Sequence, residues 1–430
     1  MRRLILSVWS VCIGFAPCLF LQAHAQTDTL RMTLQDAEKQ FLKNNLMLIA
    51  QRYNVDINQA AIRQAKLWDN PNFSVSTNVY DDSKYPFYHG SLNHGGQIDL
   101  QWSQLFKIGG QHKKLSAVLT DNAQLSEAQF NDLMNSLRLT LHTDVYALAG
   151  MLEMNKLYQD ELEALQPLVK GMDSQYQAGN ISSRDNIRIK ALDYALRSDI
   201  LENEKQVSAT EAELKELLHQ PEDTFVFPVI DLQHFRPVSA SAFTLDSLLD
   251  IAKLNRPDYK AAQIQNALQE HNLTYQKSVG IPDMSVGMEY DKANSYAKNY
   301  VGLSVSMPLP VFNRNQVNVQ EAKIGIEQQK AWNEVLESKI RKEIYEALQK
   351  LSLSAQLQGS SSTDFTGQYD NLLSKMVESY SQKQLGLVEF IDFLDSYTST
   401  KEKIINQQTG LNNSIDQLNY ACGTVIINPN

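Results

Sequence analysis

The sequence is poor in cysteine, in cationic clusters and, past Leu21, in long apolar runs. Its three cysteines are Cys12, Cys18 and Cys422, and the first two lie in the N-terminal apolar segment, so a chain that loses that segment cannot form an internal disulfide. No apolar stretch of about 18 residues follows Leu21, which excludes a transmembrane helix in the body of the chain. A transmembrane β-barrel is not excluded, because alternating strands barely register in hydropathy. The formal net charge is -10 and no basic patch stands out, which argues against a nucleic-acid partner. The eight histidines are scattered, and no H-E-x-x-H, G-x-S-x-G or phosphate-loop pattern occurs, so no catalytic role and no cofactor are expected. His89 and His94 stand close to Asp81 and Asp82 in one loop, but loop histidines are usually solvated, and no metal site is assigned to them.

What is present begins with a leader. Arg2 and Arg3 precede an apolar run from Leu4 to Leu21, followed by Ala23-His24-Ala25. A charged start, an apolar middle and an A-x-A end predict a signal peptide over 1–25, cleaved between Ala25 and Gln26. Pro17 interrupts the run and no basic flank follows, against a membrane anchor; Pro17 directly before Cys18 argues against lipidation.

The remainder reads as a duplication. Thr33-Leu34 and Thr244-Leu245 are as far apart as Pro71 and Pro282. Further on, Leu105-Phe106 answers Val311-Phe312, and Val145-Tyr146-Ala147-Leu148 resembles Ile344-Tyr345-Glu346-Ala347-Leu348. The expected organisation is a first repeat over 26–219, an equatorial linker over 220–242 holding one short strand, and a second repeat over 243–430. Each repeat reads as helix, strand, loop, strand, long helix, turn, long helix.

Four segments alternate with period two: 72–80 with Phe73, Val75 and Thr77 on one face, 97–104 with Ile98, Leu100 and Trp102, 284–290 with Met284, Val286 and Met288, and 301–307 with Val301, Leu303 and Val305. Each is about long enough to cross a bilayer at a tilt. Aromatic residues gather near their ends: Tyr80, Tyr85, Phe87, Tyr88, Phe106, Tyr290, Tyr296, Tyr300 and Phe312. Four strands leave two open edges that lipid cannot satisfy, so a barrel must be shared between chains. Two chains would give a bore filled by side chains, and three would give twelve strands and a lumen.

The helices are long. From about Lys113 to Ala178 the chain has only Gly150, Gly171 and Pro167 as interruptions, predicting a helix on the order of 100 Å. Leu133, Leu137, Leu141, Val145, Leu148 and Leu152 form its apolar seam, so it should pack lengthwise against others, as in a coiled-coil wall. Returning helices are expected over about 182–219 and 388–419.

These residues resemble the TolC-like family of outer-membrane efflux proteins over the whole chain past the leader. The resemblance is carried by Thr33-Leu34, Asn70-Pro71-Asn72, Leu105-Phe106 with Gly109-Gly110, and Gly302 through Arg314. Pro308-Leu309-Pro310-Val311-Phe312-Asn313-Arg314-Asn315-Gln316 is similar to members serving heavy-metal efflux of the cobalt–zinc–cadmium type. The resemblance implies a mostly α fold with a membrane β-barrel. It implies a homotrimer whose twelve-stranded barrel lies in the outer-membrane lipid and whose helical tunnel spans the periplasm. It implies a periplasmic adaptor and an inner-membrane pump of the RND type as partners. The function implied is an exit duct for divalent or heavy-metal cations. The alternatives are a duct for drugs or other small molecules, or a periplasmic coiled-coil structural protein. A diffusion porin is disfavoured, since it would carry more strands and no long helices.

Residues at the tunnel end follow from the same resemblance. Tyr176 through Ile181 resembles the family's first hairpin turn and Leu385-Gly386-Leu387 its second, which makes Gly179, Asn180, Gly386 and Leu387 the expected adaptor-docking tips. Both glycines are expected where one helix stops and the next turns back, in a positive-φ conformation. Asp185 and Asp392 each follow such a glycine at the same distance, and Asp395 shares a helix face with Asp392. The resemblance places these aspartates at the lumenal constriction, whereas residue type alone reads them as solvated surface charges. Lys383 stands where the family carries an aromatic gate partner.

Overall fold

The computed structural model describes residues 28–77, 79, 97–232, 243–293, 297–358 and 363–428. The signal peptide with its Ala25–Gln26 cleavage site, the loop bearing His89 and His94, Tyr296 and part of the 220–242 linker lie outside the described residues.

The first described element is β1 (Asp28–Met32). Thr33 then caps α1 (Leu34–Asn44), its hydroxyl accepting from the Asp36 N–H at 3.2 Å. Sequence reasoning expected one helix before the strands, but there are two. Asn45, at ψ 118°, ends α1 and opens α2 (Leu46–Ala65), its side chain accepting from the Leu48 N–H at 3.0 Å. The later part of the chain repeats this. Thr244 caps α5 (Leu245–Asn255) through the Ser247 N–H at 3.3 Å, and Arg256, at ψ 125°, separates α5 from α6 (Pro257–Val279). A residue before proline is pushed out of the α region, which explains the break at Arg256.

The strands are β2 (Asn72–Thr77), β3 (Ile98–Phe106), β4 (Thr224–Pro228), β5 (Met284–Ala293) and β6 (Lys298–Ser306). β4, the strand expected in the linker, pairs in parallel with β1, which sequence reasoning missed. The other four form one antiparallel sheet in the order β2-β3-β5-β6. Its register lines up Phe73, Trp102, Met288 and Leu303 in one cross-strand row, and Val75, Leu100, Tyr290 and Val301 in another. The opposite face carries rows such as Ser74, Gln101, Glu289 and Gly302. One face is therefore apolar and the other polar. The apolar face is uncovered within the chain: Val301, Val305 and Leu303 are 64%, 63% and 75% exposed. The sheet is open, and among the described residues neither β2 nor β6 is paired along its outer edge.

Helix α3 (Gln111–Gln177) runs 67 residues, with Gly110 in the left-handed region ahead of it. It turns into α4 (Ser183–Leu218). In the second part α7 (Gln316–Gln358), α8 (Thr363–Ser381) and α9 (Leu387–Cys422) make up the long helices. The seam expected on α3 is the core. Leu141, Val145 and Leu148 are buried with Phe41, Leu214 and Val226, and Leu133, Leu137 and Leu152 pack against them. A second core gathers Leu248, Ile344, Leu351, Leu411 and Cys422. A third holds the far end of the bundle, with Leu165, Ile189, Phe390 and Leu394. At Gly150 α3 comes so close to α9 that an added Cβ would stand 2.6 Å from the Thr409 methyl.

Matching polar locks close the two parts. Asn45 donates to the Leu217 carbonyl at 2.9 Å, and Arg256 donates to the Ala421 carbonyl at 2.9 Å. His219 and Gly423, each just past the helix whose carbonyl is held, both have positive φ, 50° and 71°. Arg256 is 4% exposed and held also by Asp258 and Glu343 at 2.6 and 2.7 Å, a geometry that satisfies an otherwise costly buried charge. His142 on α3 joins Glu38 on α1 and Asp416 on α9, at 2.7 and 2.8 Å. Both ring nitrogens face carboxylates, so the ring must be the imidazolium. Against the opposing effect of burial, the two carboxylates raise its pKa to about 9.

Candidate functional site

The two helical turns at the far end share one construction. After α3, the Asn180 N–H donates to the Gln175 carbonyl and the Gly179 N–H to the Tyr176 carbonyl, both at 2.9 Å, with Gly179 at φ +75°. After α8, the Gln384 N–H donates to the Ser379 carbonyl at 2.9 Å and the Lys383 N–H to the Tyr380 carbonyl at 3.0 Å, with Lys383 at φ +59°. Both are helix ends closed by a left-handed residue, which satisfies the final carbonyls. The positive φ expected at Gly386 is therefore a correction. Gly386 sits at φ -76°, ψ 154°, as the N-cap of α9, and the left-handed residue is Lys383. The hydrogen-bond pattern fixes where the chain reverses, and glycine is only its usual occupant.

The aspartates shift accordingly. Ser182 caps α4, its hydroxyl accepting from the Asp185 N–H at 3.1 Å while donating to the Asp185 carboxylate at 2.6 Å. At the same place in the second turn, the Gly386 N–H donates to Glu389 at 3.1 Å. By cap geometry Asp185 matches Glu389 rather than Asp392. Asp392 and Asp395 lie beyond the cap on the exposed face of α9, opposite the buried Phe390, Leu394 and Tyr397. Around the turns Tyr380 stacks on Phe390 at 4.9 Å and Tyr369 on Tyr397 at 5.2 Å, so aromatic pairs hold α8 to α9. The Tyr380 hydroxyl donates to Met172 Sδ of α3 at 3.2 Å, and burial, with Asp185 nearby, raises its pKa.

One polar group set was not anticipated. Glu161 on α3 is 1% exposed. Thr398 on α9 lies 2.9 Å from both its carboxylate oxygens, and Glu402 and Asp199 stand nearby. The signal was available, since Glu161 occupies the apolar stripe that runs through Leu157, Tyr158 and Leu165, but its meaning depends on helices that meet it from far along the chain. Among the described residues no group of three or more His, Cys, Asp or Glu could hold a metal ion, and no helix is long and apolar enough to cross a membrane.

The chain thus joins an antiparallel sheet with one apolar and one polar face to helices of up to 67 residues. Residues 22–219 match the family model described as outer membrane efflux protein. The chain resembles the TolC-like outer membrane efflux family. The likeness in fold runs past the matched residues. A crystal structure of CusC, concerned with folding and transmembrane channel formation, superposes with a TM-score of 0.72 at 16% identity, over 97% of this chain and 99% of that one. The Campylobacter jejuni CmeC outer membrane channel gives 0.72 at 15% identity, over 91% and 85%. The open state of the Neisseria gonorrhoeae MtrE outer membrane channel gives 0.69 at 16%, over 91% and 89%. No curated protein matches the sequence. The matching family model is that of an outer membrane efflux protein, and the structures of similar fold include outer membrane channels.

Proposed function

We propose that this chain is one protomer of a trimeric outer-membrane exit duct, built from two repeats over 26–219 and 243–430 that flank the linker over 220–242 and exported by cleavage between Ala25 and Gln26. The observation that carries it is the open sheet. Its apolar face is uncovered, which lipid accepts and water does not, and among the described residues its outer edges are unpaired, which lipid cannot satisfy without a second copy. Three copies make a twelve-stranded barrel with a polar lumen. The helices support the same reading, because α4 exposes Ile187, Tyr194 and Leu201 at heptad spacing, a seam awaiting another helix.

In this duct the tips at Gly179, Asn180, Gly386 and Leu387 meet a periplasmic adaptor, through which an inner-membrane RND-type pump delivers cargo. Asp392 and Asp395 line the constriction, with Asp185 one turn into α4. The cargo is divalent or heavy-metal cations, a reading supported by Pro308 through Gln316 in the junction after β6. Native mass measurement of the detergent-extracted protein tests the assembly: a trimer is expected, and a stable monomer overturns it. Growth of a deletion strain on zinc, cobalt, cadmium, copper and silver tests the cargo. Unchanged metal tolerance with new sensitivity to drugs or dyes reassigns the duct to organic molecules.

A further inference from the structure

We propose that Glu161 is a proton-operated latch: neutral, it clamps α3 to α9 beside the constriction, and ionised, it releases α4 and α9 from α3. The release would widen the duct, a consequence that rests on the function proposed above.

Hydrogen counting carries the argument. The Thr398 hydroxyl has one proton, yet lies 2.9 Å from Glu161 Oε1, 2.9 Å from Glu161 Oε2 and 2.9 Å from the Leu394 carbonyl. With Glu161 ionised one proton must serve all three contacts, whereas a protonated Glu161 supplies a second, so that the Leu394 carbonyl keeps its bond and only the neutral carbonyl oxygen of Glu161 receives none. Protonated Glu161 donates to Thr398 Oγ1, and Thr398 donates onward to Leu394. Ionised Glu161 must take the Thr398 proton, which strips the Leu394 carbonyl of its second bond and leaves a carboxylate whose donor among the described residues is Thr398, in a site that is 1% exposed. A buried charge so poorly compensated is strongly disfavoured.

The surroundings add repulsion instead of relief. A cavity of about 200 Å³ beside the latch is lined by Glu161 of α3, by Asp199 and its neighbours on α4, and by Asp395, Thr398 and Glu402 of α9. Among the described residues every titratable group that lines it is a carboxylate. On α3 itself Asp160 is also near, and Tyr158 donates to Glu402 at 2.5 Å. Burial, with Glu402, Asp199 and Asp160 adding to it, lifts the Glu161 carboxyl from 4.5 to about 7 despite the Thr398 hydrogen bond. The sign follows: the closed packing holds the proton more tightly than an open one. It is therefore firmest in acid and loosens as pH rises from the ordinary carboxylate range through about 7. Asp395 is one turn from Thr398 on α9, so release of the latch moves the helix that carries the constriction residues.

The test is amide hydrogen exchange across 387–402 in the detergent-solubilised full chain, corrected for intrinsic rate. With the open form titrating normally, the open-to-closed ratio should rise roughly tenfold between pH 6 and pH 8. Glu161→Gln, which keeps the shape and a permanent donor, should hold that protection within about twofold over the same range. The latch is refuted if the parent shows no pH dependence there, or if Glu161→Gln follows the parent. Should that variant misfold, the parent profile decides alone, compared with 183–196 of α4 as an internal reference that should change less. Exchange is read whether or not the protein conducts. Intact pH-dependent exchange in a protein that forms no channel therefore overturns the duct and not the latch.

Discussion

Replacing His142 by glutamine should remove a pH-dependent contribution to stability. The imidazolium bridges Glu38 and Asp416, on elements far apart in sequence, and its side chain is only 11% exposed. Its pKa rises from 6.5 to about 9, because hydrogen bonds and charge from the two carboxylates outweigh the large effect of burial. Glu38 moves the opposite way, its carboxyl held below the usual range chiefly by the His142 hydrogen bond. A pKa raised on folding gives stability that is fully present below 6.5 and is lost as pH rises through about 9. At about 1.4 kcal/mol per unit, the bridge contributes on the order of 3 kcal/mol at pH 6. Glutamine can donate to one carboxylate but turns its oxygen toward the other. Thermal unfolding in detergent should therefore show His142→Gln about 6 °C below the parent near pH 6, at roughly 2 °C per kcal/mol for a chain this large. The gap should close as pH approaches 9.5. A constant gap across that range would refute the bridge as a charged clasp and reduce His142 to a packing residue.

Three further outcomes follow from the geometry. Gly110 and Gly423 share φ values of 70° and 71°, but an added Cβ meets nothing at Gly110 and lies 2.8 Å from the Arg256 backbone at Gly423. Gly110→Ala should lose only the left-handed penalty of about 1 kcal/mol, whereas Gly423→Ala should lose several times more by displacing Arg256, and equal losses in thermal unfolding would contradict this. Gly386→Val is compatible with its extended backbone, where the nearest atom to an added Cβ is Glu389 Oε2 at 3.5 Å, so unfolding temperature should hold while adaptor binding and export fall; full export would remove the turn from the docking surface. Asp392→Ala with Asp395→Ala should weaken block by a trivalent cation and lower cation selectivity in planar bilayers, and unchanged block would return both residues to solvated surface charges.

The sheet was legible because side chains of period two announce themselves locally, and the observed register keeps the expected faces together. The seam of α3 was legible for the same reason, since Leu141, Val145 and Leu148 repeat at helical spacing and are buried. β1 was missed because a strand of five residues takes its identity from a partner, Thr224–Pro228, far along the chain. The break at Arg256 was written in Pro257, and the break at Asn45 in a residue type that favours caps, yet a continuous apolar pattern masked both. The tip was half legible. Glycine marked Gly179 correctly, but at the second turn the backbone bonds put the left-handed conformation on Lys383. Glu161 and His142 were illegible as a latch and a clasp because their partners arrive from other helices, and a polar residue in an apolar stripe has no meaning until those helices are placed.

The most direct measurement of the account is single-channel recording from the purified mature protein in planar bilayers. If copies of this chain close their sheets into one barrel around a polar lumen, addition of the protein should give discrete, cation-selective current steps. A bilayer that stays sealed at high protein concentration, with the chain remaining in solution without detergent, would contradict the shared barrel and leave a coiled-coil structural protein in its place.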